Sequence, residues 1–305
     1  QMCIRDRRGM HLITFLEGGQ SRVGVLDPQR REVCDLSRAA PDLPRDMLAF
    51  IGEGDGALAE AARAVAGGAG RLAAEEVRLL APVPEPVRNL ICIGKNYRDH
   101  AEEVQSMIAT GSGATEAIPK RPIIFSKATT SVIGPLETVP AWLDPTQSAD
   151  YEGELGVVIG RGGRGIGRSE AMEYVYGYTI INDVTSRRMQ RGHHQWFLGK
   201  SIDGFCPMGP SIVTADEIPE PGRLRLQTYV NGELRQDASV SSLIFDIPTL
   251  IETLAATMTL IPGDIIATGT PSGVGVGFKP PRFLEKGDVV RISIDPIGAL
   301  ENPVE

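Results

Sequence analysis

From residue 122 onward the chain is a succession of short apolar runs, most of them next to a Gly, Pro, Asn or Asp on at least one side. They fall at 122–125, 131–133, 155–159, 178–181, 211–214, 224–230, 264–267 and 288–294. Runs of that length between turn residues read as strands. Asn231-Gly232, between 224–230 and 233–236, is the sharpest hairpin signal. Helical periodicity is convincing only at 169–175 and 247–258. There is no regular strand–helix alternation and no internal repeat, so this region folds as mainly β, curled or sandwiched, with a few helices outside.

Upstream, 11–16 and 22–26 flank Glu17-Gly18-Gly19 as a hairpin, and the Ala-rich stretch 46–66 is helical up to Gly67-Gly68. Pro82, Pro84 and Pro86 form a stiff connector. A domain boundary is expected there, separating a small N-terminal α+β domain at 10–85 from a catalytic domain at 86–305. Met10 opens the first strand, so residues 1–9 are left out of the fold. Beyond the connector, 89–93 is a buried strand, 95–104 is helical, and 105–120, rich in Gly, Ser, Thr and Ala, reads as a loop.

A formal charge of -8 argues against nucleic acid or an anionic membrane as main partner. Cys3, Cys34, Cys92 and Cys206 form no C-x-x-C pair, which suits a reducing cytoplasm and supports neither disulfides nor a thiolate zinc site. No apolar stretch is long enough to span a bilayer.

The densest chemistry lies in Asp150-Tyr-Glu152-Gly-Glu154-Leu-Gly-Val-Val-Ile159. Side chains alternate along a strand, so Glu152 and Glu154 share a side. Asp183 closes a second run beginning at Tyr176. Three carboxylates at the ends of two apolar strands suit a hard divalent cation, Mg²⁺ or Mn²⁺. The alternative is a solvated strand face paired with arginines. His100 and Glu103, three apart on a helix, share a face, and a carboxylate beside an imidazole makes a general base; such pairs also occur on solvent faces. Lys200 follows Trp196-Phe197 and either balances the acids or lies on the surface. His193-His194 reads as a bystander pair in a loop. Gly160-Arg-Gly162-Gly-Arg-Gly165 matches a dinucleotide fingerprint without the parallel βαβ unit that motif needs. Gly199-Lys200-Ser201 ends like a phosphate loop, but His194 stands where a glycine is required. The Thr268-Gly-Thr270-Pro-Ser-Gly273-Val-Gly275 loop offers amides to an anion or is only a tight connection.

Five segments in order and spacing resemble the fumarylacetoacetate hydrolase family: Ile93-Gly-Lys-Asn-Tyr-Arg-Asp-His100-Ala-Glu-Glu103, Asp150-Tyr-Glu152-Gly-Glu154-Leu-Gly, Tyr178-Thr-Ile-Ile-Asn-Asp183-Val-Thr185, Trp196-Phe-Leu-Gly-Lys200-Ser, and Thr268-Gly-Thr270-Pro-Ser-Gly. The resemblance covers about residues 86–304, and the N-terminal part resembles the leading domain of bacterial two-domain members. It implies a mixed β-sandwich roll, a homodimer, and bound Mg²⁺ or Mn²⁺. By that resemblance Glu152, Glu154 and Asp183 match metal ligands, His100 and Glu103 a catalytic dyad, and Lys200 a charge-stabilising lysine. Gln190 and Thr270 match substrate-binding positions, as does Lys95, with 105–120 as a lid. Two departures stand out. Ser186-Arg187-Arg188 replaces a usual Ala-Arg-Asp, turning a pocket-edge acid into a base, and Ala-Ser-Val-Ser-Ser fills a segment (237–242) that is often charged.

The activity this implies is metal-dependent hydrolysis of a C–C bond in a 2,4-dioxo acid of the acylpyruvate type. His100 activates water, and a chelated enolate departs. The same site also suits oxaloacetate decarboxylation or isomerisation of a hydroxymuconate-type acid. A non-catalytic ligand-binding β-domain is the remaining alternative, and it predicts that the acids are not grouped.

Overall fold

The computed structural model describes residues 9–108 and 118–305. Strands β1 (His11–Glu17) and β2 (Gln20–Asp27) form the first hairpin. Its turn residues Gly18 and Gly19 both have positive φ, a conformation that favours glycine. Strand β3 (Glu32–Asp35) leads into α1 (Leu36–Ala39), α2 (Met47–Gly52) and α3 (Asp55–Gly67). The Asp46 side chain caps α2, and left-handed Gly68 ends α3. Short strands β4 (Arg71–Ala73) and β5 (Arg78–Leu79) complete this part.

After the proline connector come β6 (Leu90–Gly94), α4 (Arg98–Ile108), β7 (Ile123–Lys127) and β8 (Val132–Ile133). Then follow β9 (Ala149–Asp150), β10 (Gly153–Ile159), β11 (Val175–Asn182) and β12 (Thr185–Ser186). Two short helices, α5 (Arg187–Gly192) and α6 (Phe197–Lys200), precede β13 (Cys206–Thr214). Strands β14 (Arg225–Val230) and β15 (Glu233–Ser239) turn through Asn231 and Gly232, both at positive φ. Helix α7 (Ile247–Ala255), with Ile247, Leu250, Ile251 and Leu254 buried along one stripe, leads to β16 (Ile265–Ala267), β17 (Val289–Ile294) and β18 (Gly298–Pro303).

The strands build a mixed sheet in the order β4-β3-β2-β1-β13-β11-β10-β16-β6-β7, with β5 beside β1 and β8 beside β13. β16 with β6 and β8 with β13 pair in parallel, while the other pairings in this sheet are antiparallel. Pairing of β1 with β13 runs the N-terminal strands into the same sheet as the later ones. A four-stranded antiparallel sheet, β15-β14-β17-β18, forms the second layer. Side-chain alternation divides β10 between two cores. Leu155, Val157 and Ile159 pack with Leu226, Ile292 and Leu300 of the second sheet. Val158 faces the other way, into a core shared with Phe50, Ile51 and Ala61 of α2 and α3. Each such aliphatic side chain contributes roughly 1.5–3 kcal/mol by its burial. With apolar layers on both faces, the ends of β10 and β11 are rigidly placed.

Three expected boundaries differ. The stretch 169–175 is not an α-helix. Ala171–Tyr174 is one 3₁₀ turn, and Val175 already belongs to β11, where pairing with Ile159 outweighs local periodicity. The helix expected at 95–104 begins at Arg98, because Lys95 is left-handed (φ 54) and cannot enter it. That helix then runs through Ile108, so 105–108 are not loop; of the expected lid, 109–117 lie outside the described residues. Among the described residues no helix is long and apolar enough to cross a membrane, and Cys34, Cys92 and Cys206 are free.

Candidate active site

Antiparallel pairing places Gly153 opposite Asn182, so the residues flanking that pair meet. The Asp183 amide donates to the Glu152 carbonyl at 2.8 Å, and the Glu152 amide to Asn182 Oδ1 at 3.0 Å. Glu152, Glu154 and Asp183 are all buried, each offering a carboxylate oxygen within 4.8 Å of the others. The solvated-face alternative is therefore excluded. Gly153, between the two glutamates, is needed for close approach: a Cβ there would lie 2.3 Å from Thr228 Oγ1 on β14.

Buried basic groups surround the acids. Lys200, delivered by α6, is 2% exposed and puts Nζ 2.7 Å from Glu152 Oε2 and 2.5 Å from Asp183 Oδ2, so it is no surface lysine. Lys127, the last residue of β7, is fully buried, with Nζ 2.8 Å from Asp183 Oδ1 and donating to Val184 O at 3.0 Å. Arg187, at the start of α5, spans Asp150 (Nε to Oδ2, 2.7 Å) and Glu152 (Nη1 to Oε1, 2.5 Å). Burial opposes ionisation of Glu152, but the Lys200 and Arg187 charges outweigh it and hold its carboxyl below the usual range. Burial also works against the Lys200 ammonium, and Asp183 and Glu152 more than restore it.

Glu154 is different. Burial, then the Asp183 and Glu152 charges, push its pKa well up. Its one hydrogen bond among the described residues is from the Gly269 amide to Oε2, 2.8 Å. Four acids (Asp150, Glu152, Glu154, Asp183) thus face three bases (Lys127, Arg187, Lys200). A hard divalent cation fits this donor set. Its ligands are all oxygens, they converge, and one of them is a buried carboxylate with no basic partner in contact.

The dyad is assembled. His100 is buried on α4, with Nδ1 3.2 Å from Glu103 Oε2. Glu103 Oε1 accepts the Gly273 amide at 3.1 Å. A Cβ on Gly277 would sit 2.2 Å from that same oxygen, which is why glycine stands there. The loop after β16 does hold carboxylates through its amides, as expected of an anion-binding loop, but they are those of the protein itself. Its amides are taken by the chain's own acids: Gly269 by Glu154, Gly273 by Glu103, and Gly275 and Val276 by Asp150 at 2.7 and 2.9 Å. One loop thus holds a triad member and the dyad together.

A cavity of about 490 Å³ joins these parts. His100, Glu152, Glu154, Lys200 and the expected substrate positions Lys95, Gln190 and Thr270 all line it. Asp183 and Glu103 stand behind Lys200 and His100. Thr270 Oγ1 accepts from Gln236 Nε2 at 2.8 Å, which leaves its own hydrogen to donate into the cavity. His193 and His194 also line the wall, so they are not bystanders to this space. Arg188, expected at the pocket edge, instead lies over the Phe283 ring at 5.8 Å and bonds the Thr146 carbonyl. The 237–242 segment does not reach the cavity wall either; Asp237 pairs with Arg225. Gly160–Gly165 turns against Tyr174 and Leu260 with no parallel βαβ unit, which removes the dinucleotide reading.

Sequence reasoning did not assign Lys127, Arg187, Asp150 or Gln236. A lysine closing the apolar run Ile123-Ile-Phe-Ser was the available signal for Lys127. Gln236 has no such signal; its amide joins Gly153 N (3.0 Å) to Thr270 only through the fold.

Residues 89–305 match the family model described as fumarylacetoacetate (FAA) hydrolase C-terminal. Oxaloacetate tautomerase YisK from Bacillus subtilis (strain 168) is 46% identical over 294 residues, covering 92% of this chain and 94% of the relative. Among solved structures, a fumarylacetoacetate hydrolase (EaFAH) from psychrophilic Exiguobacterium antarcticum superimposes with a TM-score of 0.81 at 41% identity, covering 97% of this chain and 99% of that one. Maleylpyruvate hydrolase from Sphingobium sp. SYK-6, in complex with manganese(II) ion and pyruvate, gives 0.77 at 33% identity, with 97% and 98% covered.

Proposed function

This chain belongs to the fumarylacetoacetate hydrolase family, and from that premise we propose that it enolises a short 2-oxo acid, interconverting the keto and enol forms of an oxaloacetate-like substrate. The observation that carries the proposal is the sharing of one cavity by His100 and the glutamates Glu152 and Glu154. Likeness over nearly the full length of an oxaloacetate tautomerase supports this choice of substrate.

Glu152, Glu154 and Asp183 would hold a divalent cation, Mg²⁺ or Mn²⁺. When bound, it supplies Lewis-acid stabilisation of negative charge on the 2-oxo acid end of the substrate. The Lys200 ammonium, held between Glu152 and Asp183, adds fixed positive charge beside that end. With His100 Nδ1–H donated to Glu103, the lone pair is on Nε2. Nε2 takes a proton from C3 of the keto form and returns it to the oxygen as the enol; the reverse direction uses the same two positions. The Glu103 carboxylate steadies the imidazolium between the two transfers. The Thr270 hydroxyl and the Gln190 amide orient substrate oxygens.

Hydrolysis of a 2,4-dioxo acid is the second reading, favoured by the same oriented His100–Glu103 pair, which would equally take a proton from water. The test is a comparison of substrates with Mg²⁺ or Mn²⁺ present. Accelerated loss of the enol-oxaloacetate ultraviolet signal supports tautomerisation; pyruvate release from an acylpyruvate supports hydrolysis. Acceleration of neither overturns both.

A further inference from the structure

Gln236 is the one buried residue of β15, and a bulge explains why it points inward. Thr228 of β14 pairs with Gln236 and Tyr229 with Leu234, which leaves Arg235 over between them. Such an extra residue bends a strand and re-aims the side chain beside it. The Arg235 carbonyl then abuts the loop after β16: a Cβ on Gly273 (φ +98) would lie 1.9 Å from that oxygen. The bulge thus clamps this loop and turns Gln236 into the space between the sheets.

There the amide has a single orientation. Its Oε1 accepts the Gly153 amide at 3.0 Å, and its Nε2 donates to the Pro271 carbonyl at 2.8 Å. Both partners are backbone groups, one only a donor and the other only an acceptor. A turned-over amide would set N–H against N–H and oxygen against oxygen. Nε2 also donates to Thr270 Oγ1 at 2.8 Å. Gly153 stands between Glu152 and Glu154, so one buried amide ties the acids' strand to a hydroxyl that lines the cavity.

Resting on the 2-oxo acid reading above, we infer that Gln236 is a positioning residue for that reaction: it makes the Thr270 hydroxyl an obligate donor toward the substrate oxygen on which enolate charge gathers. A hydroxyl free to turn would as readily present a lone pair, which repels that charge. The backbone at Gly153 and Pro271 fixes the amide, the amide fixes the hydroxyl, and the hydroxyl meets the ligand.

The test is a double-mutant cycle on the Mn²⁺-loaded protein at pH 8. It reads the affinity for oxalate, a planar dianion resembling the enolate of a 2-oxo acid, by calorimetry, and kcat/KM for oxaloacetate enolisation. Q236E keeps the acceptor for Gly153 and puts an oxygen where Thr270 met a donor. T270V and Q236E each lower both quantities roughly ten-fold or more, whereas Q236E made in T270V lowers neither further. Q236M, which deletes more bonds but leaves the hydroxyl free to turn, loses less than Q236E; support of the fold alone predicts the reverse order. Where Q236E does not fold, the cycle of Q236M with T270V decides by the same rule. A loss that persists undiminished in T270V, Q236M worse than Q236E, or T270V binding oxalate like wild type overturns the assignment. Wild type that binds oxalate without enolising oxaloacetate overturns the proposed reaction, and the oxalate affinities still decide for or against Gln236. Wild type that does neither overturns both.

Discussion

Glu154 and Gly269 make an unequal pair: a buried carboxylate crowded by Asp183 and Glu152 receives a single amide, 2.8 Å away. The loop supplies orientation without supplying charge. The cluster's excess acid is therefore concentrated on this residue.

It follows that E154Q acts in opposite directions on stability and on cation binding. Replacing this crowded, buried acid by a neutral amide should raise the melting temperature of the chelator-treated protein by roughly 2–5 °C. The same change should weaken Mn²⁺ binding, measured by titration calorimetry, by roughly tenfold or more. A drop in melting temperature with unaltered Mn²⁺ affinity would show that the acids are held for structure alone.

His100 and Glu103 are separable because only the imidazole borders the cavity, while Glu103 reaches it through Nδ1. H100A should lower kcat roughly 10²–10⁴-fold, with E103Q losing less, since the base survives without its orienting charge. Mn²⁺ affinity should be unchanged in both. Steady-state kinetics together with calorimetry check this, and an equal loss of metal binding would place the pair in the wrong role.

The acids that create this site were legible in the sequence: alternation in 150–159 puts both glutamates on one side, and a second apolar run ends at Asp183. That the two strands pair, and so bring the three together, is seen only in the fold. The basic half was harder to read. Lys127 reaches Asp183 from a strand 56 residues earlier (183 − 127), and local pattern carries no information about such a contact. Helix α5, Arg187-Arg-Met-Gln-Arg-Gly, is too short and too polar to show a stripe, so Arg187 could not be turned inward from sequence. Lys95 was named as a ligand residue, but its left-handed backbone depends on Asn96 bonding to residues near 245 and 268.

Lys127 is predicted to matter for folding before it matters for chemistry. Its fully buried ammonium stands 2.8 Å from Asp183 Oδ1 and donates to Val184 O and Lys200 O. K127M leaves a buried acid short of one partner and two carbonyls short of a donor, a cost of about 3–5 kcal/mol. Urea denaturation should show a lower midpoint at unchanged slope. The double substitution K127M/D183N should cost less than the sum of the two single ones. Additive losses would mean the two side chains do not interact.

The Arg168–Asp246 pair gives a pH dependence whose sign is fixed. Asp246 caps α7 through the Thr249 amide (3.1 Å) and meets Arg168 Nη2 at 2.5 Å. Arg168 and then the Thr249 bonds, against opposing burial, hold its carboxyl down to about 2 from an ordinary 3.8. A folded-state value below the unfolded one means the ionised form is favoured by folding. The stabilisation is complete above about pH 4 and is lost as pH falls toward 2. D246N should therefore be less stable than wild type near pH 7, with the gap in urea midpoints closing between pH 4 and 2. Because half of this side chain is exposed, added salt should also shrink the gap at neutral pH. A difference that widened on acidification would contradict the assignment of Arg168 as the partner that stabilises the charge.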